Sequence, residues 1–395
     1  MTTMTPRERM IVAMTNGVPD RVPVAPDISN MIPARRTGRP FWDIYYFNEP
    51  PLWQAYIDAV NYFGIDGWFI YGDMQYQWAG DRHEAIEDMR KTDERWTVRY
   101  RGRIDESHYT YENTYYIADP PTTTEKMIKD IEANWDLVEK LFAAPVGYNP
   151  SLLRTQRAAL GELGAFGLGI GYPGLQHWFS YFCGGLEALT YWYYDKHDYI
   201  ERLLHLHELQ AVAQMEMILN ERPDFVLLGA SGTITMQSPK IARELCLPTI
   251  KRLTRMAKDA GVPTMLHSCG KERILVKWCA EETDLGCINP LEIPLMGDCH
   301  LADLKENFGS RIALMGNLHT SEVMLMGNAN AVRRAALQAI RDAGTNGGFI
   351  LSTGDQCGRD TPDENLFALV QTAREYGQYP LDIDRIDAAL AALPK

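Results

Sequence analysis

Apolar positions along the chain gather into short runs of strand length, separated by stretches with helical spacing. The runs cover 22–28, 67–71, 166–171, 225–228, 262–266, 287–291, 312–315 and 349–352. Parallel strands buried on both faces read as continuous apolar runs rather than as alternation. Eight of them interleaved with helices predict an α/β fold of the (β/α)8 barrel type, and a doubly wound sheet is the alternative with a similar count. Polar residues just after the runs favour the barrel, because Asp73, Tyr172, Ser231, His267, Glu292, Asn317 and Asp355 would then ring one mouth. Ahead of the first run, TPRERMIVAMTNG predicts a helix capped by Thr5, with Pro6 at its first position, Glu8 completing a capping box and Gly17 beyond its end.

One stretch breaks the rhythm. Residues 95–118, RWTVRYRGRIDESHYTYENTYYIA, alternate bulky or β-branched residues with polar ones, which predicts an inserted antiparallel hairpin or small sheet near the mouth. The 395 residues otherwise read as a single barrel domain over 1–395 carrying this insertion.

Composition narrows the partners. A formal net charge of −13 excludes nucleic acid as the main partner, since phosphate binding needs a concentrated basic surface. No uncharged run approaches the ~20 residues that cross a bilayer, and no basic-then-apolar leader opens the sequence. The expectation is a cytoplasmic protein away from membranes, with room for a homo-oligomer. Seven scattered cysteines do not form a disulfide framework, so free thiols are available as ligands.

The run at 262–266 ends in TMLHSCGK (264–271), which sets His267 and Cys269 two residues apart. In a strand, residues i and i+2 share a face, so both side chains would project together at a strand end. In a barrel, Glu292 would end the sixth strand and Cys357 would follow the eighth, so four candidate ligands converge on one mouth. One imidazole, two thiolates and a carboxylate suit Zn2+, and ligands scattered over separate strands are typical of catalytic rather than structural sites. Cys183, Cys246, Cys279, Cys287 and Cys299 read as helix or core positions.

The segments DRVPV (20–24), LHSCGK (266–271), NPLE (289–292), DLKENFGSRIALMGN (303–317), TPDENL (361–366) and REYGQY (374–379) resemble the uroporphyrinogen decarboxylase superfamily. The resemblance covers most of the chain and implies a (β/α)8 barrel. It also implies one of two chemistries. The decarboxylases work without metal and grip substrate carboxylates with an Arg-rich N-terminal motif. Here that region reads MIPARRTGR, keeping Arg35, Arg36 and Arg39 but not the motif, and GASG (229–232) stands where an Asp-rich strand end is expected. The other branch comprises zinc methyltransferases that serve corrinoid proteins, whose His-x-Cys and distant Cys are matched by His267, Cys269 and Cys357. The more distant cobalamin-independent methionine synthase adds a glutamate near the position of Glu292.

The resemblance thus implies a zinc-dependent methyltransferase. His267, Cys269, Glu292 and Cys357 would hold the metal, and Glu292 and Asp355 are the candidate catalytic carboxylates. The methyl donor would be a small methylated substrate, with an O-methyl aromatic ether as the leading choice. The acceptor would be a separate corrinoid protein that supplies cobalamin, because Asp195-Lys196-His197 with Ile200 misses the glycine of a base-off cobalamin motif. A metal-independent decarboxylase and a methyltransferase to a thiol acceptor are the alternatives. Aromatic clusters at 71–78, 171–182 and 190–199 would wall a flat pocket in which Asp73, Tyr172, Gln176 or His177 orients polar groups.

Overall fold

Seven of the eight apolar runs form one parallel sheet in a computed structural model that describes residues 3–229 and 231–394. Its strands are Gly67–Gly72, Gly164–Ile170, Phe225–Gly229, Thr264–Ser268, Cys287–Pro290, Ala313–Leu318 and Phe349–Thr353, hydrogen-bonded in that order. The eighth run lies between the last strand and the first. Leu351 N donates to Pro23 O, Ala25 N to Leu351 O and Asp66 N to Val24 O, which closes the ring. Pro23 and Pro26 have no amide hydrogens, so this stave joins through isolated bonds rather than a regular ladder. The fold is a TIM-barrel-like α/β architecture with small antiparallel sheets.

Strand periodicity divides the apolar residues into two cores. Val24, Phe69, Leu168, Val226, Leu266 and Leu314 belong to the large core outside the sheet, among the helices. Their sequence neighbours Ala25, Trp68, Phe225, Leu227, Met265 and Met315 form a second core inside the barrel, which also contains Met10, Ala13 and Met14 of the helix Pro6–Met14. That helix plugs the N-terminal end of the ring. Thr5 caps it with a complete capping box. Arg9 donates to Asp66 (2.6 Å) and Asp20 (2.6 Å), Arg21 donates to Asp66 (2.8 Å), and Arg7 pairs with Asp224 (2.8 Å). Asp66 and Asp224 immediately precede strands, so these pairs tie the plug to the strand starts.

The antiparallel segment expected over 95–118 supplies two of four strands in a sheet made of Arg82–Lys91, Arg95–Ile104, Ser107–Tyr116 and Thr122–Glu125. Trp96 stacks on Trp42 at 4.8 Å, and Arg359, from the loop after the last barrel strand, donates to Ala118 O at 2.8 Å. The sheet is thereby moored beside the C-terminal mouth. Among the described residues no helix is long and apolar enough to cross a membrane.

Candidate metal centre

The inward columns that fill the barrel with apolar side chains become polar near the mouth. Ala25 is followed two residues on by Asp27, and Met265 by His267 and then Cys269, all on the inward parity of the strand. A cavity of about 410 Å3 opens there, with Trp68, Ile70 and Leu227 on its apolar side and Asp27, Ser29, His267, Asp355 and Gln356 supplying polar groups. Of these, only His267 and Asp355 were singled out from sequence. A ligand atom each from His267, Cys269 and Asp355 lies within 4.8 Å of the others. His267 Nε2 stands 3.8 Å from Asp355 Oδ1. Asp355 adopts a φ of 109°, a left-handed conformation that L residues rarely take, and this backbone turn carries its carboxylate to the mouth.

The donor set fits a metal. Zinc bonded to nitrogen, sulfur and oxygen at ~2.0–2.3 Å in a tetrahedron spaces its ligand atoms roughly 3.3–3.8 Å apart. The observed cluster, within 4.8 Å, stands about 1 Å or more wider than that spacing at its limit. Burial, followed by the charge of Asp355, pushes the Cys269 thiol up to about 12, while the Ser231 hydroxyl acts in the opposite sense. A thiol so placed keeps its proton at neutral pH unless a cation displaces it.

Glu292 and Cys357 lie outside this three-residue cluster. The Glu292 carboxylate accepts a hydrogen bond from Gly270 N and so holds the turn after Cys269. Burial raises its pKa, and Asp355 adds to the rise. Cys357 is fully buried, with its amide donating to Asp27 O at 2.8 Å and its thiol against the Thr353 hydroxyl. Burial and the neighbouring Asp27 push this thiol up to about 12. Asp27 itself is buried and raised by burial, with His267 opposing the shift and Asp355 reinforcing it. Sequence reading passed over Asp27. The signal was present in its place two residues beyond Ala25 on the first stave.

The four residues expected to orient substrate lie elsewhere. Tyr172 is buried behind the centre, its hydroxyl 2.7 Å from Thr233 Oγ1, which in turn meets Ser268 Oγ at 2.8 Å. Gln176 accepts from Gln237 at 2.6 Å within the helical core. His177 packs against His207, and burial pulls its pKa down to about 4. Asp73 is exposed and accepts from Gln75 N at 2.8 Å. None of them lines the cavity. Behind Ser268, the Glu272 carboxylate accepts from Ile234 N at 3.1 Å and Thr235 N at 3.4 Å, and burial pushes it up to about 7.

The arginines at 35–39 have other work. Arg35 pairs with Asp363 and donates to Arg359 O and Thr361 O at 2.8 Å. Arg36 lies 3.3 Å over the Tyr62 ring, and Arg39 reaches Glu49 O at 3.3 Å. No Arg or Lys is among the described residues that line the cavity.

Comparison with solved structures places this geometry in context. A methyltransferase from Methanosarcina mazei superposes with a TM-score of 0.62 at 16% identity, over 94% of this chain and 99% of that one. A B12-independent methionine synthase from Shewanella sp. W3-18-1 gives a TM-score of 0.43 at 11% identity, over 90% and 97%. Comparison with curated protein sequences finds no match. The family model for uroporphyrinogen decarboxylase (URO-D) matches residues 178–376. That match takes in His267, Cys269, Glu292, Asp355 and Cys357, half of the chain with all of its candidate metal ligands, and the chain belongs to the uroporphyrinogen decarboxylase family.

Proposed function

We propose that this chain is a zinc-dependent methyltransferase that moves a methyl group from a small O-methylated aromatic ether to a separate corrinoid protein. The observation that carries the reading is the convergence of His267, Cys269 and Asp355 within 4.8 Å, with His267 and Asp355 lining a mouth cavity. The full-length likeness to a methyltransferase fold supports it. His267 and Cys269 are the core of the metal set. Asp355 and Cys357, two residues apart on one loop, and Glu292 are the remaining candidate ligands.

Bound there, zinc supplies Lewis acidity toward an ether oxygen, or holds a thiol acceptor as thiolate. The chain's own groups do the rest. Cys269 gives up its proton when the cation enters, so metal uptake is proton-linked. Glu292, through Gly270 N, fixes the turn that aims Cys269. Asp355 faces His267 at 3.8 Å, and the buried Asp27 is close enough to feel the charge of the imidazole. Trp68, Ile70 and Leu227 keep water from one wall and offer a surface for a ring. Cobalamin belongs to the partner protein in this reading.

A metal-independent decarboxylase gains nothing from the cavity, whose described lining lacks the basic groups that a polycarboxylate requires. Metal analysis tests the proposal. Purified protein should carry close to one zinc per chain and lose it when Cys269 and Cys357 are changed to serine. With reduced corrinoid protein and a methoxylated aromatic it should form methyl-cobalt. A chain without zinc, or one whose zinc survives both substitutions, overturns the reading.

A further inference from the structure

One inward position beside the metal cluster is polar, buried and unbonded. Asn289 is the Cα partner of His267 in the parallel register, as Cys287 is of Met265 one pleat repeat earlier. Met265 and Cys287 both belong to the core inside the barrel, so His267 and Asn289 share the inward face of neighbouring strands. On the other flank the next strand pairs Leu314 with Ile288, and Met315, also of the inner core, follows. The ladder therefore gives Asn289 one polar neighbour, His267. Asn289 is 1% exposed and does not line the mouth cavity, and its Oδ1 and Nδ2 are both buried without partners.

The rest of the barrel interior is filled by methionine, alanine and aromatic side chains. An amide left unpaired among them destabilises the fold, whereas a leucine of similar volume would not. Such a group is explained when its partner is a residue that forms the bond as the site takes up its metal. His267 has the distance and the chemistry. Neighbouring strands run ~4.8 Å apart, so side chains on one face of them can touch. Among the described residues neither ring nitrogen of His267 makes a hydrogen bond, and Nε2 faces Asp355 Oδ1 at 3.8 Å. Asp355 is a member of the metal cluster, so Nε2 is the nitrogen on the metal side and Nδ1–H is left to find an acceptor. A histidine that ligates through one nitrogen relies on that second bond, which selects the tautomer and holds the ring. Asp27 does not offer it, because its stave stands opposite that of His267 in the ring and meets the imidazole from across the mouth.

We propose that Asn289 is a positioning residue of the metal centre, whose Oδ1 accepts from Nδ1–H of His267 and so presents Nε2 to the cation. Its burial keeps water from competing for that bond. The inference rests on the zinc methyltransferase reading and deepens it.

Chelator competition on the full chain, with zinc as the probe, tests this. Asn289→Leu removes the acceptor and fills its space. Its zinc affinity should fall by ~10–100-fold, the usual worth of a group that supports a metal-binding histidine. The urea midpoint of the metal-free protein should hold or rise, since an unpaired amide has gone. A merely structural role would lower both together. Asn289→Asp, which keeps an oxygen in place, should restore most of the affinity. Nitrogen-15 spectra of the histidine-labelled, zinc-loaded parent need no folded variant at 289, with His267→Ala serving only to assign the signal. His267 should carry a proton on Nδ1 that exchanges slowly with water. Unchanged zinc affinity in folded Asn289→Leu overturns the proposal, as does a fall in the metal-free midpoint that matches the loss of zinc, or a zinc-loaded His267 without a proton on Nδ1. The two readings separate. Zinc affinity that depends on Asn289, with no methyl passed to reduced corrinoid protein, sinks the methyltransferase and leaves the positioning role standing. Methyl transfer by a parent whose zinc affinity survives Asn289→Leu does the reverse.

Discussion

The two ends of the barrel are built from the same strands and solve opposite problems. At the N-terminal end, Met10, Ala13 and Met14 of the plug helix close over inward-facing Trp68, Phe225 and Met265, and Arg9 and Arg21 are paired with Asp20 and Asp66. At the C-terminal end, two residues further along the same columns, the inward positions hold Asp27 and His267, and both buried polar atoms of the Asn289 side chain, beside His267 in the register, go without partners. One end is complete without a ligand, and the other is not. The lesson is that stability and chemistry can be separated along a single strand by one pleat repeat, and that each end can be disturbed with little effect on the other.

The sharpest test of that separation is Asp66→Ala. Asp66 is almost fully buried and accepts from Arg9 at 2.6 Å, Arg21 at 2.8 Å and Val24 N at 2.9 Å. Its removal leaves two buried guanidinium groups short of a partner, for which a loss of about 3–5 kcal/mol is expected. Urea denaturation should show this loss while the folded fraction keeps its zinc. A midpoint shift worth less than about 1 kcal/mol would mean that the plug is not held through this carboxylate.

Cys269→Ser probes the other end. Zinc affinity should fall by at least ~100-fold, equivalent to about 2.7 kcal/mol, when a thiolate ligand becomes a hydroxyl. Stability of the metal-free protein should move by less than about 1 kcal/mol, since the residue is only partly buried and sits beyond the packed core. Competition with a chromophoric chelator measures the first quantity and metal-free denaturation the second. If the metal-free protein unfolds instead, the mouth is a structural element and the division between the ends fails.

How much of this was legible in the sequence follows from the same parity argument. The eight staves were readable because strands buried on both faces leave continuous apolar runs, and the prolines of VPVAP did not hide the irregular one. The strand Arg82–Lys91 was not readable, because it is exposed on nearly every residue and its charged sequence RHEAIEDMRK carries no alternation. Tyr172 looked like a mouth residue because it follows an apolar run. It lies two residues beyond Ile170, which packs in the outer core, so parity carries its ring away from the barrel axis. His267 and Cys269 share the inward parity of Met265, and the structure brings them together as the spacing suggested. What brings Asp355 rather than Cys357 beside His267 and Cys269 is a loop in which a positive φ at Asp355 breaks the parity of the strand before it, and no apolar run reveals such a turn.

Glu272 sharpens the boundary between the two regimes, because it is a buried carboxylate on the mouth side that keeps no cationic partner. Burial pushes it up to about 7, with Asp298 adding to the rise and the Ile234 and Thr235 amides opposing it. The unfolded chain would lose this proton near 4.5. Between those values the native state binds more protons than the unfolded state, so stability falls as pH rises through that window. Between pH 5 and pH 7 the loss attributable to this group is about 2 kcal/mol. Glu272→Gln has no proton to lose, so its stability relative to the parent should improve by that amount over the same range. Thermal denaturation at pH 5, 6 and 7 checks this, and a difference that does not change with pH would show that Glu272 is not protonated in the native state.

The smallest expected effect returns to the closed end and asks how finely it is built. Thr5 accepts from Glu8 N at 3.2 Å, and the Glu8 carboxylate accepts from Thr5 N at 2.8 Å, so both open amides at the start of the plug helix are satisfied. Thr5→Ala removes one half of that exchange and should cost about 1 kcal/mol. The helix is only 9 residues long and cannot hold its shape without packing, so fraying its first turn loosens the seat of Met10 and Met14 as well. Hydrogen exchange should therefore quicken over the plug helix and the strand starts at 67 and 225, while the amides around His267 keep their protection. Equal quickening at both ends would mean that the barrel opens as one unit, and the mouth would then owe its order to the plug rather than to its own contacts.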